Sequence, residues 1–201
     1  FLMPMMVDNQ KYYHDVKRFP EIFTFLFVGR LIETKNVDML CESFINSFEG
    51  KNAKLVIVGR GHMKSSLEKK AKKLGIADSI FIQSSLSFEE LAQHFRSADL
   101  VVYPSYYEGQ GLIPLESLAS GTPVATVDQE PLTEMIDTSV GGLFKRGDPR
   151  DLARCVNQML SSEDTSQKAL LGRDRVLSKY TYEHNASDYV AVFQRAISKR
   201  S

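Results

Sequence analysis

Two glutamates, Glu108 and Glu116, stand eight positions apart in the run Tyr103-Pro-Ser-Tyr-Tyr-Glu-Gly-Gln-Gly-Leu-Ile-Pro-Leu-Glu-Ser-Leu-Ala-Ser-Gly-Thr-Pro-Val124. Between them lie Gly109, Gly111 and Pro114. Glycine has no Cβ, so a ligand can approach the backbone closely there. Pro114 suits the first turn of a helix, where a missing N–H costs nothing. The free N–H groups and dipole of such a helix start attract anions such as phosphate. Carboxylates do not ligate phosphate; they accept from neutral donors, of which sugar hydroxyls are the obvious class. Backbone N–H groups for phosphate beside carboxylates for hydroxyls point to a nucleotide sugar. The competing reading is a helix whose acidic first turn is stabilised by its own dipole.

The elements that must position this run are legible on either side of it. Leu100 to Tyr103 and Val124 to Val127 read as short buried strands, so the run is strand, glycine loop, helix, strand, with Gly121 and Pro123 at the helix end. Phe23 to Val28, Leu55 to Val58 and Ile80 to Ile82 are further apolar runs of the kind parallel strands show, and Gly141 to Phe144 is a sixth. Helical stripes alternate with them. One begins near Thr34 as a plausible N-cap and carries Val37, Leu40, Cys41, Phe44, Ile45 and Phe48. A lysine-rich helix covers about 63–74. Ser87 and Glu90 have capping-box spacing ahead of Phe88, Leu91, Ala92 and Phe95. Asp148 and Pro149 open a helix with Leu152, Cys155, Val156 and Met159 inward. Two more helices follow, the last from about 183 to 198 with Ala186, Tyr189, Val190, Phe193 and Ile197 in its stripe. The reading is an α/β chain, a Rossmann-like parallel sheet of about six strands with helices on both faces. Its parts are a lead-in over 1–20, a domain over 21–180 and a terminal helix over 181–201.

Composition bounds the function. The 201 residues are 43% hydrophobic and 25% charged, an ordinary globular balance, and the net charge of zero gives no reason to expect nucleic acid. Both cysteines, Cys41 and Cys155, fall on apolar helical stripes and read as reduced core thiols, which fits a cytoplasmic protein. No hydrophobic run is long enough for a membrane span. His14, His62, His94 and His184 show no metal spacing, and no nucleophile triad is defensible. His94 reads as an exposed helix residue. The basic run Lys69 to Lys73 reads as a solvated helix face, with contact to an anionic membrane surface as the rarer alternative.

Right-handed crossovers place all strand C-termini on one edge, where open α/β sheets bind ligands. Arg30, Gly59, Ser84, Glu108 and Asp128 all follow strand ends. Arg30 and Lys35 share the first loop, and together they suit a diphosphate, an arginine as a two-pronged donor and a lysine as a point charge. The alternative is two solvated surface cations. Gly59-Arg-Gly61 alone is ordinary turn chemistry.

In order along the chain, these residues resemble the C-terminal, donor-binding domain of a retaining glycosyltransferase of family 4 with the GT-B fold. The resemblance runs through Phe27-Val-Gly-Arg-Leu31 with Lys35, Leu55-Val-Ile-Val-Gly-Arg-Gly61, Ala98-Asp-Leu-Val-Val-Tyr-Pro-Ser105, Glu108-Gly-Gln-Gly-Leu112, Glu116, Ser120-Gly-Thr-Pro-Val124, Gly142-Leu-Phe144 and Asp148-Pro-Arg-Asp-Leu152. It implies that Gly29, Arg30 and Lys35 hold the donor diphosphate and that Glu116 accepts from the ribose. Glu108 would contact the sugar near the reacting face, Gly109, Gln110, Gly111 and Leu112 would meet sugar and phosphate, and Gln83-Ser-Ser-Leu86, Ser84 included, would lie near the base. Glu108, Arg30 and Lys35 are then the catalytic candidates. No metal or separate cofactor is expected; the nucleotide diphosphate sugar, UDP first, is the donor, and positive charge stabilises the departing diphosphate. Gln110 departs from the aromatic residue often found in the family. The implied partners are an N-terminal acceptor-binding domain, reached through the last helix, and a glycan or lipid-linked acceptor at or near a membrane surface. The isolated chain is expected to bind donor without transferring sugar. The readings to be weighed against this are a nucleotide-sugar-binding module without chemistry and another GT-B enzyme such as a phosphorylase or epimerase.

Overall fold

Alternation of apolar residues along the first strand decides the architecture. The computed structural model describes residues 4–13, 22–48, 52–84, 86–161 and 164–198. In β1 (Phe23–Val28), Phe25 and Phe27 enter one buried cluster while Leu26 and Val28 enter another. A strand apolar on both faces needs cover on both. Helices α1 (Asp38–Phe48), α2 (Lys64–Lys73) and α6 (Pro149–Ser161) supply the first face. On the second lie α3 (Phe88–Ser97), α4 (Leu112–Ala119), α5 (Leu132–Met135) and α7 (Thr165–Lys179).

The remaining strands are β2 (Ala53–Val58), β3 (Ile80–Gln83), β4 (Leu100–Tyr103), β5 (Val124–Val127) and β6 (Gly142–Phe144), all parallel in the order β3-β2-β1-β4-β5-β6. This is the doubly wound order, and its direction reverses between β1 and β4. β4 starts two residues after β1, with Phe25 paired to Leu100 and Leu26 to Val101, and that register brings the ends of the two strands, Val28 and Tyr103, level. The loops leaving β1 and β4 therefore confront each other, which is what brings the first cationic loop to the glutamate loop. The chain ends in α8 (Tyr182–Ser198).

Two of the expected helix caps are formed. Ser87 Oγ accepts from the Glu90 N–H while the Glu90 carboxylate accepts from the Ser87 N–H, closing the capping box. Asp148 Oδ1 accepts from the N–H groups of Arg150 and Asp151, each at 3.0 Å. Asp148→Ala should cost about 1 kcal/mol in urea unfolding, whereas Asp148→Asn should cost a few tenths. Equal costs for the two would show that charge, not capping, matters there.

Two expectations need correction. Thr34 does not cap a helix: it sits inside a 3-10 turn, Glu33–Lys35, which ends at a left-handed Asn36 (φ 50°), and α1 begins only at Asp38. His94 is half-buried rather than exposed, and burial lowers the affinity of its ring for a proton. The apolar stripe of α8 faces outward: Val190, Phe193 and Ile197 are 53%, 63% and 69% exposed. Of the lead-in, residues 1–3 and 14–20 lie outside the described residues, but Val7 and Tyr12 are core residues.

Candidate functional site

The crevice begins with the glycines that let two loops interlace. The Gly29 N–H donates to Val58 O, the Gly59 N–H to Gln83 O and the Leu31 N–H to Arg60 O, at 2.8–3.0 Å. A Cβ built on Gly59 would lie 1.8 Å from Gly29 O. The loops after β1 and β2 thus run side by side with no room between them. Arg30 is exposed beyond this weave. Arg60 Nε donates to Ser84 O at 2.6 Å, and Lys64 Nζ approaches Ser84 Oγ at 3.4 Å. Ser84 therefore sits under two cations at the end of β3. Its neighbour Ser85 lies outside the described residues.

Lys35 is turned inward. It is 9% exposed, and its ammonium forms an ion pair with Glu108 and donates to Tyr103 Oη at 3.2 Å. Tyr103 Oη in turn donates to Glu108 Oε1. Burial pushes the Glu108 carboxyl up, but hydrogen bonds from Lys35, Ser105 and Tyr103 outweigh burial and hold it below the usual carboxylate range. Burial and the adjacent carboxylate both push the Tyr103 phenol upward, so it stays a neutral donor. The loop carrying Glu108 is pinned from below, since the Tyr106 N–H donates to Thr34 O at 2.9 Å. The Arg146 guanidinium stacks over the Tyr106 ring at 4.3 Å.

The two glycines of the loop serve different ends. Gly111 has φ 98° and precedes α4, and a Cβ there would lie 2.8 Å from Leu132 Cδ2. It is required by conformation and by packing. Gly109 has open space where a Cβ would be, which leaves it available for close approach. Leu112 opens α4 and Pro114 lies in its first turn, with no acidic residue in that turn. The competing reading of an acidic first turn therefore fails: Glu108 precedes the helix and Glu116 lies in its second turn.

Glu116 is the second unusual carboxylate. Burial raises it to about 7 from its ordinary 4.5, against a small opposing effect of the Tyr12 hydroxyl. Its Oε2 is shielded and has no hydrogen-bond partner among the described residues. One chain segment thus carries two carboxylates in opposite conditions, Glu108 held ionised by a lysine and Glu116 close to neutrality. Perturbed groups of this kind, at a sheet's carboxyl edge, mark functional sites.

The structure brings Lys35, Glu108, Gln110, Gly111, Leu112 and Glu116 to the reversal point of the sheet, with Gly29 and Arg30 on the facing loop. Arg30 is exposed on that loop, whereas Lys35 is turned inward onto Glu108. Ser84 belongs to a neighbouring cluster with Arg60 and Lys64. Sequence reasoning passed over Tyr103 and Tyr12. The first stands at a strand end and was open to the same edge argument as Arg30; nothing in the local pattern marks the second. Among the described residues, no three His, Cys, Asp or Glu side chains converge as metal ligands, and no helix is long and apolar enough to cross a membrane.

Known proteins resemble this chain in sequence and in fold. An uncharacterised glycosyltransferase of Methanocaldococcus jannaschii is 33% identical over 174 residues, covering 86% of this chain and 45% of its own length. Sucrose-phosphate synthase of Thermosynechococcus elongatus superposes with a TM-score of 0.89 at 22% identity, over 99% of this chain and 53% of that one. Anabaena HepE, solved in complex with UDP and glucose, superposes with a TM-score of 0.81 at 17% identity, over 94% of this chain and 55% of that one. The chain spans less than half the length of the M. jannaschii relative it matches. The fold is that of one half of a GT-B glycosyltransferase. Since the group 1 glycosyl transferase profile matches residues 9–171, the chain belongs to the group 1 glycosyltransferases.

Proposed function

We propose that this chain is the donor-binding half of a retaining, family 4 glycosyltransferase, and that it holds a nucleotide diphosphate sugar, UDP-linked first, between the loops after β1 and β4. The observation that carries the reading is the triad of Lys35, Glu108 and Tyr103 at the sheet reversal. A lysine and a glutamate that neutralise each other in a nearly buried crevice can be separated at low cost only by a ligand that replaces both partners. A nucleotide sugar does so: its diphosphate takes the ammonium, and its sugar hydroxyls donate to the carboxylate. Complexes of UDP and glucose with a protein of this fold support the same ligand class.

In this reading Arg30 swings in from solvent to join Lys35 on the diphosphate. The two positive charges stabilise the leaving group as the glycosidic bond to phosphate breaks, which is the largest service a metal-free site can supply. Backbone N–H groups of Gln110, Gly111 and Leu112 at the start of α4 add to it. Glu116 accepts from the ribose hydroxyls, with the Ser84 region near the base. The acceptor, a glycan or a lipid-linked one, is held by a separate N-terminal unit that covers the outward stripe of α8. The chain alone binds donor without turnover, and the setting is the cytoplasm, peripheral to the membrane face.

Calorimetric titration with UDP, GDP and ADP tests this directly. Wild type is expected to bind one of the three selectively, and Arg30→Ala and Glu116→Gln to weaken it about tenfold or more. Absence of binding to all three would overturn the reading. The pH dependence has a definite sign. Glu116 titrates at about 7 and accepts hydroxyl donors best as the anion, so its contribution to affinity should rise by about one order of magnitude from pH 6 to pH 8. Glu116→Gln should flatten that part of the profile, leaving only the titration of the diphosphate itself. Transfer to an acceptor once the N-terminal unit is added in trans would distinguish an enzyme half from a binding module.

A further inference from the structure

The lead-in is built into the site. The Val7 N–H donates to Tyr180 O at 2.8 Å, Val7 bridges to Thr181, and Tyr189 Oη donates to Pro4 O at 2.7 Å. These bonds tie the segment to the start of α8. At its other side it meets the glutamate segment twice. The Met5 N–H donates to Gln110 Oε1, and Tyr12 packs in one buried cluster with Leu115 and Ala119, which flank Glu116 on α4, so that its hydroxyl and the Glu116 carboxylate act on each other.

Tyr12 is 2% exposed, its ring set against Phe88 at 5.3 Å and edge-on to Phe95 at 5.7 Å. That packing uses the ring alone. The hydroxyl is a shielded polar atom without a formed hydrogen bond among the described residues, and so is Glu116 Oε2. An unmet buried polar atom costs about 1–3 kcal/mol, so two such atoms in one buried cluster, a donor and an acceptor, are stabilised by meeting. Among the described residues no other hydroxyl competes for Glu116. The Tyr103 hydroxyl, which also senses its charge, is committed to Glu108, and Asp8, the other charge acting on Tyr12, is an acceptor.

We infer that Tyr12 is a positioning residue of the donor site: its hydroxyl donates to Glu116 Oε2 and so leaves Oε1 as the acceptor for the ribose hydroxyls. The inference rests on the donor-site reading above. It makes the segment ahead of the sheet a working part of the crevice, because one end of that segment orients a ligand-binding carboxylate and the other is fastened to α8.

Tyr12→Phe removes the hydroxyl and keeps the ring, so the core remains filled. Two measurements on the full chain decide the matter. The first is a carboxyl-carbon NMR titration, with the Glu116 signal identified by its loss in Glu116→Gln. Removal of a donor that favours the anion should raise the Glu116 midpoint by about half a unit or more. The second compares UDP with 2′,3′-dideoxyuridine diphosphate. Tyr12→Phe should weaken UDP about fivefold and the dideoxy compound less than twofold, since the latter has no hydroxyls for Glu116. An unmoved midpoint overturns the inference whatever the nucleotides do. Equal weakening of both nucleotides also overturns it, reducing Tyr12 to packing. A moved midpoint in a chain that binds no nucleoside diphosphate removes the donor-site reading and, with it, the positioning role.

Discussion

Lys35→Ala is expected to lower the stability of the chain by about 2–4 kcal/mol, far more than a lysine-to-alanine change on a surface. Removing one member of a buried ion pair strands the other, at a cost of about 3–5 kcal/mol when burial is complete. Here the Lys35 and Glu108 side chains keep 11% and 13% of their exposure, so some screening remains and the lower part of that range applies. The pH dependence separates this from a packing effect. In wild type Glu108 titrates below its ordinary value, so its stabilising contribution is present above about pH 4.5 and is lost as pH falls through the lower folded value. Without Lys35, burial dominates and the carboxyl titrates above its unfolded value. The deficit of Lys35→Ala should then shrink as pH falls toward 5, where Glu108 takes up a proton. Urea unfolding at pH 5 and pH 8 of wild type, Lys35→Met, Glu108→Gln and the double variant measures the coupling. The double variant should be milder than the sum of the single ones by about 1–3 kcal/mol. Additive costs would mean that the pair does not hold the crevice together. The same lysine is the proposed diphosphate ligand, so Lys35→Met should also abolish measurable nucleotide binding even where it remains folded.

Gly59→Ala should be harsher still, about 4 kcal/mol or more, or yield no soluble chain. The obstacle is main chain, not a flexible side chain: the new Cβ would lie 1.8 Å from Gly29 O and 3.0 Å from Gly29 C. Relief requires the loops after β1 and β2 to part, breaking the bonds from Gly29 N–H to Val58 O and from Leu31 N–H to Arg60 O. Losses of this size come from a short set of mechanisms, and backbone collision is one. Two controls calibrate the result. Gly75 has φ 71° with nothing within 4 Å, so Gly75→Ala should cost only about 1 kcal/mol of left-handed strain. Gly109→Ala meets open space and should leave the thermal midpoint within about 2 °C. If Gly59→Ala melts like Gly109→Ala, the interlaced loops do not set the shape of the crevice.

The amino-acid sequence by itself determined the six strands, the need for helices on both faces and the edge at which the chemistry gathers. Those are products of local energetics. Unbroken apolar runs such as Leu100 to Tyr103 need cover on two faces, Asp148 and Ser87 satisfy orphan N–H groups of the helices they open, and a parallel sheet leaves one carboxyl edge. Tertiary structure alone decided what the site residues are bonded to. Lys35 and Glu108 lie 73 positions apart, and their pairing depends on which two loops the sheet reversal sets face to face. Sequence pattern favoured a cation for phosphate and a carboxylate for hydroxyls, and could not show that the two are bonded to each other. Glu116 is legible in the sequence as a candidate, but its upward shift comes from burial that the sequence pattern does not show. The outward stripe of α8 has the same period as an inward one, and only the rest of the fold settles which way it points. Charge and burial are properties of the neighbours a residue acquires, and for these residues the neighbours come from distant parts of the chain.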